Sequence, residues 1–315
     1  MKVRLWGTRG SIPTPLRADG VEKKVFQALE RYRDAGSPED VAAFCTSLPL
    51  SVRGTYGGDT CCVEIDDGGD EIIVFDAGSG IRALGNAIMA TGRGAQTIHI
   101  FVSHLHWDHI QGFPFFVPAY VPGNKILFRG FHEGFEQNVR QQQNWQNFPV
   151  SVDEMRADLS FEEFSPDATF TIGSCEISVF PHVHPGDSYG FVIGSEGKKV
   201  VYASDCDYVD MAPENFAAFQ GYFADADLLI FDAQYTLEEI VSTKYRWGHS
   251  SFSIGIDLSK MAGVKRICFY HHDPGSNDDK LDEYRERALE YWKLTFADNP
   301  NCEVIWGYDG MLLEI

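Results

Sequence analysis

The chain has 315 residues, of which 44% are hydrophobic and 13% aromatic, and its formal net charge is −20. This composition can build a sizeable buried core, whereas the charge argues against long nucleic acid, which binds through clusters of Lys and Arg, and favours a small anionic substrate. The sequence has no apolar run of about 18 residues and no charged-then-apolar start, so we expect a cytoplasmic protein without a membrane partner. Seven irregularly spaced cysteines are typical of reduced core thiols rather than of disulfides.

Apolar runs bounded by turn residues predict strands in two groups. The first group covers residues 3–6, 60–65, 71–75 and 97–102, and the second covers 125–129, 169–172, 175–180, 188–193, 200–203, 228–232, 266–270 and 303–306. Helical patterns cover residues 21–35, 81–90, 133–143, 213–219, 251–262 and 279–296. No linker or repeat divides them, so we predict one domain over residues 1–315. Residues 17–53 are predicted to be an insertion, which is either a surface elaboration or a lid or dimer contact.

Three histidines and an aspartate lie within six positions at the end of the predicted strand 97–102. They are His104, His106, Asp108 and His109. Imidazole and carboxylate groups suit Zn²⁺, Mn²⁺ or iron, and the lack of an accompanying Cys pair argues against a closed structural zinc site. In an extended segment His104 and His106 point to one side, while Asp108 and His109 fall at the turn beyond. The motif therefore predicts an open, catalytic site that can serve two metals.

This His-x-His-x-Asp-His pattern resembles the signature of the metallo-β-lactamase superfamily. Further candidate site residues follow other apolar runs in the order that the family has, and they are Asp76, His182 or His184, Asp205, and His271 or His272. The resemblance implies an α/β fold, a four-layer αββα sandwich with metals between the sheet edges. Two strand groups with flanking helices agree with that architecture.

The resemblance also implies a role for each candidate residue. One ion would be held by His104, His106 and His184, the other by Asp108, His109 and His271, with Asp205 as the bridge. His182 is the alternative to His184, and His272 is the alternative to His271. Asp76 would orient ligand histidines or water rather than bind metal. We expect two divalent metals, Zn²⁺ or alternatively Mn²⁺, which at about 3.5–4 Å apart would activate a shared water and clamp the attacked phosphate oxygen.

A second pair of residues points to a reaction class. Asp232 ends the run 228–232, and His249 is followed by Ser250 and Ser251. The pair resembles motifs of ribonuclease Z and related phosphodiesterases, in which an acidic residue supports a histidine that protonates the leaving oxygen. A phosphodiester needs such an acid because its alkoxide leaves poorly unless protonated. The predicted catalytic residues are therefore His249, Asp232 and Asp108, although His249 is alternatively a helix N-terminal residue beside its cap.

Two glycine turns supply the predicted substrate contacts. Arg9 and Ser11 lie in the turn 7–11, which resembles the first-strand turn of the same families near the metal cleft. Asp59 stands where relatives have Asn in a Gly-Gly-Asn-Thr turn. The aromatic block 113–120 is either a base-stacking wall or simply core.

Together these features predict a dinuclear metal-dependent phosphodiesterase that hydrolyses cyclic nucleotides to nucleoside monophosphates. It is most similar to the ribonuclease Z-related group that includes cyclic-nucleotide phosphodiesterases and the phage anti-Pycsar enzymes. The alternatives are an RNA or DNA nuclease of the ribonuclease Z type, a lactone or thioester hydrolase, and a non-catalytic member that only binds a cyclic nucleotide. A homodimer is a further expectation, since related enzymes are often dimers.

Overall fold

The computed structural model describes residues 1–208, 213–297 and 301–315, and these form two seven-stranded sheets. The first sheet contains β1 (Lys2–Gly7), β2 (Cys62–Asp66), β3 (Ile72–Phe75), β4 (Thr97–Phe101), β5 (Lys125–Gly130), β6 (Asp158–Glu163) and β14 (Leu312–Glu314). The second contains β7 (Thr169–Ile172), β8 (Cys175–His182), β9 (Ser188–Ser195), β10 (Lys198–Ala203), β11 (Leu228–Asp232), β12 (Arg266–Tyr270) and β13 (Glu303–Trp306).

Helices cover the outer faces of both sheets. The α-helices are α1 (Ala18–Asp34), α2 (Val41–Ser47), α3 (Leu50–Arg53), α4 (Ile81–Ala90), α5 (Trp107–Ile110), α6 (Phe135–Gln141), α7 (Pro213–Phe223), α8 (Leu237–Ser242), α9 (Phe252–Ala262) and α10 (Asp278–Thr295). Helix α4 buries Ile81 and Leu84 in the cluster under the first sheet. Helices α7, α9 and α10 bury their apolar sides in the cluster outside the second sheet.

A third hydrophobic cluster joins the two sheets. It contains Val63 and Phe75 from the first sheet and Phe191, Tyr202 and Ile230 from the second. The rings of Phe75 and Phe191 have centroids 4.8 Å apart, so the sheets interdigitate rather than merely face each other. The layer order is therefore helix, sheet, sheet, helix, which confirms the predicted αββα class.

The strand directions explain where the functional residues gather. Strands β3 to β6 are mutually parallel, as are β10 to β13. The carboxyl ends of parallel strands lie at one edge of a sheet, and the loops that follow them meet there. The predicted metal-site residues follow β3, β4, β8, β10 and β12, and β8 runs in the same direction as β10 because both are antiparallel to β9, so both sheets deliver these residues to a common edge.

Several predicted elements differ from the structure. The strand predicted over 125–129 in the second group is β5, which pairs with β4 in the first sheet. Strand β6 was not predicted because it has only two apolar residues, Leu159 and Phe161, and none of its residues is fully buried, and β14 has only three residues. The short helices α2, α3, α5 and α8 have four to seven residues, which is too few for a periodic pattern to emerge.

The predicted insertion contributes α1, α2 and α3. Helix α1 buries none of its residues, and it contacts α3. Lys24 of α1 pairs with the buried Asp278 at the start of α10, with nitrogen and oxygen 2.7 Å apart, and also donates to the carbonyl of Ser51. The roles of lid and dimer contact stay predictions. Across the described ranges, no helix combines the length and apolarity needed to cross a membrane.

Candidate metal centre and active site

The site is built around two groups of side chains that share Asp205. Within each group, one possible ligand atom per residue lies within 4.8 Å of the others. The first group consists of His104, His106, His184 and Asp205. The second consists of Asp108, His109, Asp205 and His271. These are the two sets that the sequence predicted, including the shared position of Asp205.

In the first group, hydrogen bonds determine which ring nitrogens face inward. His184 donates from Nδ1 to the carbonyl of Gly248 at 2.8 Å, which leaves Nε2 directed at Nδ1 of His106, 3.1 Å away. The Nε2 atom of His104 lies 3.5 Å from Asp205 Oδ2 and has no hydrogen-bond partner among the described residues although it is buried. A buried nitrogen without a partner costs free energy, and a metal ion would use its lone pair.

The second group has the same arrangement. His109 donates from Nδ1 to Asp76 at 2.8 Å, and its Nε2 lies 3.4 Å from both Asp108 and Asp205. This Nε2 is also buried without a hydrogen-bond partner in the described part of the chain. His271 Nε2 is 3.2 Å from the carboxylates of Asp108 and Asp205. Imidazole and carboxylate donors in this number fit a divalent ion such as Zn²⁺ or Mn²⁺.

The electrostatics of the cluster suit a cation. Burial alone raises the pKa of Asp205, but positive charge on His271, His109 and His104 outweighs it and holds this pKa well below its usual range. Burial lowers the pKa of His109 and His271, and the carboxylates around them, Asp205 first, reverse this and raise both values well above normal. Protons on these rings and a metal ion would compete for the same negative charge.

Asp76 forms hydrogen bonds that orient a histidine of the second group. It follows β3 with a positive φ of 63°. Its carboxylate accepts hydrogen bonds from the backbone and hydroxyl of Ser103, from Tyr202 at 2.6 Å and from His109. A carboxylate that holds Nδ1 of a ligand histidine fixes the tautomer and orientation of the ring. This position is the orienting one that was predicted for Asp76.

The structure separates the alternative histidines from the site. His182 ends β8 and packs between Phe180 and Phe219, and burial lowers its pKa to about 3. His272 stacks on Trp306 and donates from Nε2 to the carbonyl of Gly307 at 2.8 Å, and burial lowers its pKa to about 3 as well. Neither residue belongs to a ligand group among the described residues. The geometry therefore favours His184 and His271.

The predicted acid pair lies beside the metal groups. His249 Nδ1 is 3.0 Å from Asp232 Oδ2, and the same nitrogen is 3.8 Å from Asp205. Asp232 is fully buried and also accepts from the backbone of Gln234 and Ser250. With Nδ1 donating to Asp232, the other ring nitrogen of His249 is free to face substrate. A pocket of about 350 Å³ lies over this region, lined by Ser11, Leu105, His106, Trp107, Asp108, Asp205 and His249.

Of the three predicted substrate contacts, the structure brings only Ser11 to the pocket. Ser11 has a positive φ of 62°, and its backbone donates to Asp108 at 2.7 Å. Arg9 is buried, and its guanidinium donates to backbone carbonyls of Gly57 and Ser276 at 2.9 and 2.8 Å, so it fastens two loops together. The carboxylate of Asp59 accepts from the hydroxyl of Ser79 at 2.7 Å. Neither Arg9 nor Asp59 lines the metal pocket, and their roles as substrate contacts stay predictions.

Sequence reasoning missed residues that support the ligands. Two glycines allow close approach, because a Cβ on Gly248 would lie 2.1 Å from His184 Nδ1 and one on Gly10 would lie 2.4 Å from the ring of His271. Ser103 contacts His104 and His109 at 3.1 and 3.3 Å. Gly10 stands in the turn 7–11 and Gly248 directly precedes His249, so both positions could have been recognised from the sequence, whereas Ser103 could not.

Comparison with known proteins settles the family. A family model described as a β-lactamase superfamily domain matches residues 71–272. This range includes Asp76 and every predicted metal ligand from His104 to His271. The chain belongs to the metallo-β-lactamase superfamily. As a member it is a metal-dependent hydrolase, and the matched range leaves out the α1–α3 insertion.

Relatives and solved structures agree with membership of this superfamily. Ribonuclease Z of Haloferax volcanii is 25% identical over 254 residues, which cover 64% of this chain and 75% of that protein. Ribonuclease Z of Staphylococcus haemolyticus is 22% identical over 317 residues, which cover 87% and 100%. The metallo-β-lactamase fold protein YhfI of Bacillus subtilis aligns with a TM-score of 0.66 at 19% identity, covering 100% of this chain and 98% of that one. The short form of human tRNase Z gives 0.60 at 18% identity, covering 100% and 99%. These structures share the fold.

Proposed function

We propose that this superfamily member is a dinuclear metal-dependent phosphodiesterase that hydrolyses cyclic nucleotides to nucleoside monophosphates. The observation that carries the proposal is the position of the Asp232–His249 pair, whose histidine is 3.8 Å from the carboxylate shared by both ligand groups. A thioester hydrolase has no need for an acid at this place, since a thiolate departs more easily than an alkoxide.

The two ligand groups define what the bound metals would do. His104, His106 and His184 would hold one ion, Asp108, His109 and His271 the other, and Asp205 would serve both. Two such ions supply an activated water at neutral pH and stabilise negative charge on the phosphate oxygens. The remaining chemistry belongs to side chains. His249, oriented by Asp232, would donate a proton to the departing 3′ oxygen, a contribution typically worth about 10²–10⁴ in rate.

Pocket size and charge favour a small substrate. The volume of about 350 Å³ is near the lower end of the roughly 300–1,000 Å³ found for small-molecule sites. The net charge of −20 opposes binding of a long polyanion. We also propose that the protein is cytoplasmic and forms a homodimer.

A nuclease is the second candidate, because two relatives that align over most of their length carry the name ribonuclease Z. The two candidates differ in salt dependence. A protein that neutralises several phosphates loses affinity steeply as salt rises, whereas a mononucleotide offers one phosphate and a shallow slope.

The deciding experiment is turnover by metal-reconstituted protein of 3′,5′-cyclic nucleotides, 2′,3′-cyclic nucleotides and short RNA. His249→Ala and Asp205→Asn are assayed beside Asp70→Asn, an exposed aspartate in a surface turn. The proposal expects cyclic mononucleotide hydrolysis that is lost in the first two variants and retained in the third. Turnover of RNA alone would make the protein a nuclease, and inactivity on every diester would reject the proposal.

A further inference from the structure

A ladder of aromatic rings leads from His249 to the protein surface. The ring of Tyr235 has its centroid 5.6 Å from that of His249, and Trp247 follows 6.4 Å beyond Tyr235. The ammonium of Lys244 lies 3.8 Å from the centroid of Trp247. Tyr235 is buried, whereas 52% of Trp247 is exposed. We call Tyr235, Lys244 and Trp247 the aromatic wall.

The wall is held in place by its backbone. Lys244 donates its amide to the carbonyl of Glu239 at the end of α8, and Trp247 donates to the carbonyl of Lys244. Arg246, between them, has a positive φ of 60°, which a non-glycine residue adopts at a cost in free energy. Ser11, Asp76 and His271, all in the site, are also non-glycine residues with positive φ. The backbone turn that carries Trp247 is therefore strained directly before His249.

The chemistry of this wall matches a nucleotide. The segment 244–247 reads Lys-Tyr-Arg-Trp, so it places two cations beside two aromatic rings in a chain whose net charge is −20. An indole that stays half exposed leaves apolar surface in water. A planar base would cover that face, and a cation behind the ring would strengthen its contact with an anionic ligand.

Resting on the proposed function, we propose that Trp247, backed by Tyr235 and Lys244, is the surface on which the nucleobase of the substrate stacks. None of the three wall residues lines the metal pocket, but Tyr235 lies against His249 with ring centroids 5.6 Å apart. A base stacked on the wall would therefore lie beside the pocket and bring its ribose towards the general acid. Stacking makes little distinction among bases. The site would thus require an aromatic base without strong preference for which one.

A second exposed tryptophan supplies a sharp competitor. Trp107 stands between the ligands His106 and Asp108, lines the metal pocket and is 81% exposed. If the base instead stacks there, Trp107 and not Trp247 controls base recognition. Trp145 is 82% exposed and belongs neither to the lining of the metal pocket nor to the aromatic wall, so it serves as the matched control.

Calorimetry on the metal-loaded protein tests the inference without turnover. The probes are adenosine 5′-monophosphate, uridine 5′-monophosphate and ribose 5-phosphate, which lacks a base. For Trp247→Ala we expect about tenfold weaker binding of both nucleotides, unchanged binding of ribose 5-phosphate, and recovery in Trp247→Phe. Trp145→Ala should bind all three like the wild type.

The outcomes separate this inference from the proposed function. It is overturned if the wild type binds ribose 5-phosphate as tightly as the nucleotides, if Trp247→Ala leaves their difference intact, or if Trp107→Ala abolishes it instead. Base-dependent binding that needs Trp247, in a protein that hydrolyses no diester, would leave the inference standing and reject only the proposed function.

Discussion

Gly248→Ala should weaken the binding of one of the two metal ions that we propose. The residue has a φ of +86°, and a Cβ there would lie 2.1 Å from Nδ1 and 2.6 Å from Cε1 of His184. Neither contact can be sustained, so either the imidazole moves or the turn before His249 does. In both cases the 2.8 Å hydrogen bond from His184 to the Gly248 carbonyl is lost, and with it the orientation of the ring.

The magnitude follows from two effects. Loss of a partner that orients a ligand histidine typically weakens metal binding about 10–100-fold, which corresponds to about 1.4–2.8 kcal/mol. Alanine in the left-handed region adds roughly 1–2 kcal/mol of folding cost. The three atoms nearest to an added Cβ at Gly248 belong to His184 and Pro185 and none to the second ligand group, so the ion of that group should stay.

The assay is metal content after dialysis against graded chelator, combined with thermal unfolding. Gly221→Ala is the control, because this helix position has no neighbour within 4 Å of an added Cβ and should gain about 0.5–1 kcal/mol. The reasoning is refuted if Gly248→Ala retains two ions per chain at the wild-type chelator midpoint.

Three further predictions concern catalysis, thiols and pH. His249→Ala should slow the hydrolysis of diesters with a ribose leaving group by about 10²–10⁴. It should slow the hydrolysis of p-nitrophenyl esters far less, since nitrophenolate leaves without a proton. Equal losses of kcat for the two kinds of substrate would contradict the role of His249 as an acid. In the native protein only the exposed Cys45 should react with a thiol reagent, because the other six cysteines are buried and burial raises the pKa of Cys268 to about 12; a native count well above one, against seven in denaturant, would contradict this packing. In metal-free protein the pKa values of His109 and His271 are raised because Asp205 and neighbouring carboxylates outweigh burial. These raised values stabilise the folded protein. The stabilisation is complete below about pH 6.5, the ordinary histidine value, and is lost as pH rises through the folded pKa values. The melting temperature of the chelated protein should therefore fall from pH 6 to pH 9 while that of the loaded protein does not, and parallel curves would count against it.

The grouping of site residues that are close in sequence follows from local geometry. The choice between neighbouring histidines depends on distant packing, and only the family resemblance favoured His184 and His271 over His182 and His272. Residues 104–109 follow one strand, so their grouping needs only local geometry. The choice between His182 and His184 depends on such packing, because His182 lies against Phe219 of α7 and outside the ligand groups. The burial of Arg9 could not be read from the sequence because its partners Gly57 and Ser276 are 48 and 267 positions away. Likewise, strand 125–129 carries no sign of which sheet it joins, because a parallel neighbour is reached only through a crossover.

One oxygen atom, Oδ2 of Asp76, has consequences beyond the metal site. Asp76 follows the first sheet, yet this oxygen accepts from Tyr202 on β10 of the second sheet at 2.6 Å and from the ligand His109 at 2.8 Å. Any sliding of one sheet over the other must stretch a bond to this atom. The orientation of the His109 imidazole therefore depends on the relative position of the two sheets. A substitution that disturbs packing between the sheets should for this reason also weaken metal binding.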